Sequence, residues 1–266
     1  MYYGVPMVAN PDLEVMNRLR RQVLLMSARS GEGHVPSALS ILDLLYVIYD
    51  KLIQTPAANF ETSDKFILSK GHASLGLYVI LAETGHFPTE WLETFGEFKS
   101  NLGGHPDTNK IPGVHASTGS LGHGLPIALG MALANKINGK NSRVIVLVGD
   151  GEMNEGSVWE SLLLASHHEL GNLTMVIDAN DSTNRALSLG DLKRKLEAFG
   201  WQALEIDGHA QGEILEALLS YTTKVPTVII ARTIKGFGIK EMENNPAWHH
   251  ASPNADQLAG FLKGLK

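Results

Sequence analysis

Val144-Ile145-Val146-Leu147-Val148-Gly149-Asp150-Gly151 is the stretch of sequence that decides the fold. An unbroken apolar run rich in β-branched residues is typical of a strand buried on both faces, as strands of parallel sheets are. The Gly-Asp-Gly turn follows at once, so Asp150 is expected at the carboxyl end of that strand. Open parallel sheets bind their ligands beyond this end.

Apolar runs and helical spacings alternate on both sides of this strand. The alternation predicts an α/β fold: a single three-layer domain over residues 1–266, with a mainly parallel sheet and helices on both faces. Residues 1–11 are interpreted as an arm, and 103–124 as a long loop. The other predicted strands are Lys65–Ser69, Leu173–Ile177, Ala203–Ile206 and Thr227–Ala231, and the predicted helices are Leu13–Arg29, Leu39–Leu52, Ser74–Thr84, Leu125–Asn138, Ser157–Glu169, Asp191–Phe199 and Gln211–Ser220.

Composition narrows the possible functions. The chain has 266 residues, of which 44% are hydrophobic, and this is enough for one sizeable core. A net charge of -6 argues against nucleic acid or an anionic membrane as partner. The absence of cysteine excludes disulfides, thiolate chemistry and cysteine zinc sites. The sequence has no signal-peptide pattern and no apolar stretch of about 18 residues, so we expect a cytoplasmic protein.

A possible metal site follows from the strand ends. Asn180 lies just past the predicted strand Leu173–Ile177, 30 residues after Asp150. A carboxylate and an amide oxygen at one sheet edge suit Mg²⁺, which prefers oxygen ligands. Gly151 would let a diphosphate approach the backbone, and the helix that begins near Gly156 would direct its N–H groups towards it. The alternative is an ordinary Gly-Asp-Gly turn.

This spacing resembles the thiamine diphosphate motif, in which an Asp, an Asn and a nearby main-chain oxygen hold the metal. The resemblance implies that Asp150, Asn180 and the Ser182 carbonyl bind Mg²⁺, with Ca²⁺ or Mn²⁺ as substitutes. It also implies that Asp150 and Asn180, together with Gly149, Gly151 and Glu152, contact the cofactor.

Further motifs distinguish among thiamine diphosphate enzymes. The motifs are SGEGHVPS (30–37), DKFILSKGHAS (64–74), GHP (104–106), STGSLGHG (117–124), GDGEMNEGSVWE (149–160), KGFG (235–238) and ENNPAWH (243–249). Over essentially the whole chain, their order resembles the N-terminal, diphosphate-binding subunit of a split transketolase.

Four histidines belong to these motifs. Histidine titrates near neutral pH and can donate or accept the protons that move among sugar hydroxyls. The resemblance implies catalytic roles for His34, His72, His105 and His249, with His72 and His249 also close to the diphosphate. It implies further cofactor contacts from Gly119, Ser120 and Leu121. We interpret the remaining motif-free histidines as structural: His86, His115, His167, His168 and His209.

The resemblance implies transfer of a two-carbon ketol unit from a ketose, or ketose phosphate, to an aldose. The activating glutamate and the pyrimidine pocket of the family lie in a second domain, for which we find no matching elements here. We therefore expect a separate pyrimidine-binding partner subunit in an α2β2 assembly, and an inactive isolated chain. Glu155 and Glu160 match glutamates that pair across a subunit interface, or are simply acids favoured near a helix N-terminus.

Two departures from the family pattern stand out. Asp181 follows Asn180 where the family commonly has glycine, and His250 follows His249 where glycine is usual. Arg185, in the altered loop, either binds an anionic substrate group or is solvated. The alternative functions are the α subunit of a 2-oxoacid dehydrogenase or other thiamine-dependent synthase, and a non-catalytic subunit that keeps a relic cofactor fold.

Overall fold

The computed structural model describes residues 13–53, 63–185 and 187–265, so the predicted arm lies outside the described residues. Its centre is a parallel five-stranded sheet with the order β1-β2-β3-β5-β4. The predicted α/β fold with a parallel sheet is confirmed. The strands are β1 (Lys65–Leu68), β2 (Val144–Gly149), β3 (Leu173–Ala179), β4 (Gln202–Asp207) and β5 (Thr227–Arg232).

Helices cover both faces of this sheet. Alternate residues of β2 enter different cores: Ile145 and Leu147 pack with one apolar cluster, and Val146 and Val148 with the other. This period of two is what a strand between two layers requires. Within the described residues, no helix has the length and apolar character needed to cross a membrane. The helices are α1 (Leu13–Ser30), α2 (Val35–Leu39), α3 (Leu42–Val47), α4 (Ser74–Glu83), α5 (Gly124–Ile137), α6 (Gly156–His167), α7 (Leu192–Ala198), α8 (Gln211–Leu219) and α9 (Ala255–Gly264).

The prediction of one continuous helix over Leu39–Leu52 is wrong. The chain leaves α2 after Leu39, forms α3, and then makes one wide π turn over Ile48–Leu52. Ser40 explains the break, because its hydroxyl donates to Asp178 of β3 at 2.9 Å. A long-range polar contact has therefore overridden the apolar helical pattern.

Two short-range features went unpredicted. Helix α9 begins at a capping box, in which Asn254 and Gln257 bond each other's backbone N–H groups, a signal that was readable in the sequence. Helix α2 begins instead at His34, whose backbone is left-handed and whose side chain makes no capping bond. Such a start cannot be read from residue type.

A close contact joins the end of β1 to the start of α5. The N–H of Gly124 donates to the Ser69 hydroxyl at 3.1 Å. A Cβ atom at Gly124 would lie 2.2 Å from Ser69 Oγ and 2.7 Å from Ser69 Cα. Only glycine lets this helix approach the sheet edge so closely.

We expect Gly124→Ala to lower the free energy of unfolding by about 1–3 kcal/mol, because the helix must move away from Ser69. Gly130→Ala, in the same helix, is the matched control: its Cβ would meet no atom of the described residues within 4 Å. It should stabilise the protein by up to about 1 kcal/mol through helix propensity. Urea denaturation measures both changes, and equal effects would contradict the packing argument.

Candidate functional site

A cleft of about 360 Å³ opens at the carboxyl edge of the sheet. It brings together all but one of the predicted site residues. Ser120 is the exception, since it is exposed and is not among the residues lining the cleft. The lining residues are His34, Ser37, Lys70, His72, His105, Gly119, Leu121, Gly149, Asp150, Gly151, Glu152, Asn180, Ser182, Lys235 and His249.

A second cavity of about 410 Å³ adjoins the first. Asn180, Ser182, Lys235 and His249 line both, and the second cavity continues along residues 244–246. The two cavities therefore form one extended cleft, large enough for a cofactor together with a small substrate.

The three predicted metal ligands are linked to one another. One carboxylate oxygen of Asp150 accepts from Gly151 N at 2.7 Å and from the Ser182 hydroxyl at 3.1 Å. The amide oxygen of Asn180 accepts from Ser182 N at 3.1 Å. Burial, followed by the negative charge of Asp178, raises the pKa of Asp150. A buried carboxylate that is hydrogen-bonded by neutral groups fits a divalent cation, because the cation would offset its charge.

Asp178 forms a buried ionic centre beneath these residues. Its side chain is fully buried and pairs with the Lys70 ammonium at 2.5 Å, which is itself buried. The same carboxylate accepts from the Ser40 hydroxyl and from the Asn180 amide nitrogen, each at 2.9 Å, and from the Thr233 hydroxyl. Because the Asn180 nitrogen is engaged here, its amide oxygen is the atom left for a ligand.

The predicted histidines cluster on one side of the cleft. The rings of His34 and His72 lie 5.1 Å apart between centroids, and those of His34 and His249 lie 6.1 Å apart. Burial lowers the pKa of His34 to about 4, and burial with the nearby Lys70 charge lowers the pKa of His72 to about 2. Both rings are therefore neutral at pH 7, and a neutral imidazole can accept a hydrogen bond at one ring nitrogen and donate one from the other.

A lysine and a glycine contact the histidines of the cleft. The Lys235 ammonium lies 3.0 Å from His249 Nδ1. Burial and then the neighbouring Lys70 charge lower the pKa of Lys235, so an anionic ligand would be favoured beside it. A Cβ atom at Gly119 would approach the His105 ring at 3.2 Å, so any other residue here would crowd that ring.

Glu152 organises the loops around the cleft. It is 1% exposed, and its carboxylate accepts from Gly122 N at 2.8 Å, Gly149 N at 3.2 Å and the Ser69 hydroxyl. Burial raises its pKa. These bonds connect the loops after β1 and β2 with the start of α5, whereas a direct cofactor contact from Glu152 stays a prediction. The other two acids of interest, Glu155 and Glu160, are exposed.

The structure explains how the loop after β3 forms without glycine. Asp181 has φ 59°, a left-handed conformation that aspartate tolerates better than most residues. Its carboxylate accepts from Asn184 Nδ2 at 3.0 Å and lies 3.8 Å from the Arg232 guanidinium. The turn Ser182–Arg185 follows; the predicted role of the Arg185 side chain lies outside the described residues.

In the first of the two cavities, sequence reasoning missed three lining residues: Ser37, Lys70 and Lys235. Both lysines precede a glycine in a family motif just beyond a strand, so their position at the ligand edge was a usable signal. Ser37 closes the motif SGEGHVPS, but its residue type alone does not distinguish a cleft position from a place in the first turn of a helix.

Comparison with known proteins places these residues in a family context. Residues 12–264 match the family described as transketolase, thiamine diphosphate binding domain. One subunit of the apulose-4-phosphate transketolase of Actinobacillus succinogenes is 38% identical, over 93% of this chain and 93% of that protein. The corresponding subunit of the enzyme from Phocaeicola vulgatus is also 38% identical, over 90% of this chain and 88% of its own length.

Longer transketolases resemble the chain over part of their length. The transketolase of Homo sapiens is 36% identical over 89% of this chain but only 39% of that protein. In solved structures, the transketolase of Campylobacter jejuni is 29% identical with a TM-score of 0.85, covering 94% of this chain and 42% of that one. The transketolase of Leishmania mexicana is 25% identical with a TM-score of 0.87, covering 97% and 42%.

Removal of the charge on Asp178 tests the buried ionic centre. We expect Asp178→Asn to lower the free energy of unfolding at neutral pH by about 3–5 kcal/mol, because Lys70 is left buried without its counter-charge. Asp181→Asn is the matched control, since its side chain is 68% exposed and its effect should stay within about 0.5 kcal/mol. Chemical denaturation measures the free energy of unfolding of both variants. A decrease below about 1 kcal/mol for Asp178→Asn would contradict the conclusion that Asp178 is the buried counter-charge of Lys70.

Proposed function

Because the chain belongs to the family of transketolase thiamine diphosphate binding domains, we propose that it is the diphosphate-binding subunit of a split transketolase. In this proposal, residues 1–266 form one domain, and the enzyme moves a two-carbon ketol unit from a ketose phosphate to an aldose. The observation that carries it is the convergence of Asp150, Asn180 and four histidines on one cleft.

The residues at the sheet edge fit the cofactor and its metal. Asp150, the Asn180 amide oxygen and the Ser182 carbonyl would hold Mg²⁺. Gly149 and Gly151 would face the diphosphate, and a Cβ at Gly151 would meet no atom of the described residues within 4 Å, so the backbone is open to a ligand. When bound, thiamine diphosphate supplies the nucleophilic carbon that a carbon–carbon cleavage of a ketose requires.

The histidines would handle protons of the sugar. Neutral His34 can accept a hydroxyl proton at pH 7, and His105 and His249 would donate to or accept from neighbouring oxygens. His72 and the Lys235 ammonium would face the anionic end of the cofactor. The lowered pKa values keep His34 and His72 uncharged at physiological pH, so each ring can hydrogen-bond a ligand as a neutral group, and each is a weaker base than an ordinary histidine.

The partner and the substrate class rest on the relatives. Two relatives of similar length are each named as one subunit of an apulose-4-phosphate transketolase, which supports a separate pyrimidine-binding chain here, and we propose an α2β2 assembly. Their names also support a ketose phosphate as donor, with apulose 4-phosphate as the first candidate. The 2-oxoacid dehydrogenase alternative is disfavoured because the relatives of this chain named above are transketolases. The relic alternative is disfavoured because the acidic, amide and imidazole groups of the cleft remain together.

Mixing the chain with its pyrimidine-binding partner tests the function directly. We expect two-carbon transfer from a ketose phosphate to an aldehyde acceptor only when both chains, thiamine diphosphate and Mg²⁺ are present. Mass spectrometry of the products, with a panel of donors that includes apulose 4-phosphate, identifies the reaction. Rapid turnover by the chain alone would contradict the split-site proposal, and cofactor binding without transfer from any ketose would contradict the transketolase reaction.

The metal ligands can be tested independently of turnover. In the two-chain complex, Asp150→Asn should weaken Mg²⁺-dependent binding of thiamine diphosphate on the order of 10- to 100-fold, because an anionic oxygen ligand is lost. Asp181→Asn, on the adjacent loop, should leave affinity nearly unchanged. Isothermal titration calorimetry at several Mg²⁺ concentrations measures both, and an unaltered Asp150→Asn affinity would remove Asp150 from the metal site.

A further inference from the structure

We call the segment His249–Ser252 the strap. It is hydrogen-bonded to the loop of residues 31–34, which connects α1 to α2. The Ser252 hydroxyl donates to the carbonyl of Glu32 at 2.6 Å and lies 2.8 Å from the hydroxyl of Ser27, which donates to the same carbonyl. A Cβ at Gly33 would lie 2.8 Å from the His250 carbonyl carbon. The strap and the loop are thus in backbone contact.

His34, which follows Gly33, has an unusual backbone. Its φ of 78° and ψ of 18° are left-handed, a conformation that costs a non-glycine residue free energy and persists only where the surroundings enforce it. Its carbonyl accepts from the N–H groups of Ser37 and Ala38 at the start of α2. The strap and the helix together therefore hold His34 in this conformation.

The His34 ring contacts two other imidazoles. The ring of His72, which lines the cleft, is 5.1 Å away between centroids. The His250 ring meets it edge-on at 4.4 Å and 85°. His250 is exposed and is not among the residues that line the cleft, so its influence on a ligand passes through lining residues beside it, namely His34 and His249.

We propose that His250 is a positioning residue for His34. The strap holds the loop that carries the left-handed His34 backbone, and the His250 ring packs against the His34 imidazole. Together these contacts restrict the His34 ring to one orientation towards the cleft. The contact depends on the side chain at position 250, because a glycine there would leave His34 without this ring neighbour. A role for His250 in sugar chemistry rests on the proposed function, whereas its contact with His34 is independent of that function.

The packing around His34 also affects the pKa of its imidazole. Burial is the main cause that lowers the pKa of His34 to about 4, and the positive forms of neighbouring groups, His250 foremost, contribute to the same lowering. Above about pH 4 the ring is therefore neutral. The groups that face His34 are imidazoles and one ammonium, and none of these is acidic: His72, His105, Lys235, His249 and His250.

Histidine side-chain NMR titration of the full chain tests the proposal, with the His34 signal assigned by its loss in His34→Gln. We expect His250→Ala to raise the His34 midpoint by about 0.5–1 pH unit, because the ring gains water and loses a cationic neighbour. His250→Phe should raise it less, because an aromatic cover remains. The matched control is His167→Ala, which removes a similar edge-on contact with His168, at 5.0 Å and 71°, away from the cleft.

A His34 midpoint within about 0.2 pH units of wild type in His250→Ala would overturn the proposal. An equal change in His167→Ala would overturn it too, since the effect would then not be local. The pH profile of kcat/KM in the two-chain enzyme separates this proposal from the proposed function. An acid limb that stays in place while the NMR midpoint moves supports the role of His250 and contradicts proton transfer by His34.

Discussion

The buried pair between Lys70 and Asp178 is the interaction on which the site depends. Both charges are removed from water, so each requires the other and a full set of hydrogen bonds. Asp178 obtains these bonds from Ser40, Asn180 and Thr233. The donors come from the α2–α3 break, the end of β3 and the segment after β5. One carboxylate therefore fixes the relative positions of three parts of the chain around the cleft, and it sets the orientation of the Asn180 amide.

Burial also decides the electrostatic state of the cleft. It raises the pKa of Asp150 and lowers the pKa values of His34, His72 and Lys235. Each of these pKa shifts shows that burial disfavours the charged form of the group. A charged ligand of opposite sign would therefore stabilise the charged side chains of the cleft. A divalent cation would offset Asp150, and a diphosphate would do the same for Lys235. The chain spans about 40% of the longer transketolases it matches.

The two departures from the family pattern have different structural consequences. Asp181 adopts the left-handed conformation that glycine would supply, and it bonds Asn184, so the loop keeps Ser182 beside Asp150 and Asn180. This substitution preserves the local path of the chain. His250, in contrast, adds a ring where glycine would add nothing, and that ring packs on His34. The first keeps Ser182 beside Asp150 and Asn180, and the second adds a ring contact to His34.

Local patterns in the sequence were sufficient for the fold and most of the site. The apolar runs of β2 and β3, the Gly-Asp-Gly turn and Asn180 specify a parallel sheet with ligands at its carboxyl edge, because strand burial and turn chemistry act over a few residues. Motif order then pointed to the histidines. Only the tertiary structure decided that the helix over Leu39–Leu52 breaks, that Lys70 pairs with Asp178 and that His250 reaches His34. Each joins segments distant in the chain, and such contacts are selected by the burial of charge and by packing in three dimensions, which residue spacing does not encode.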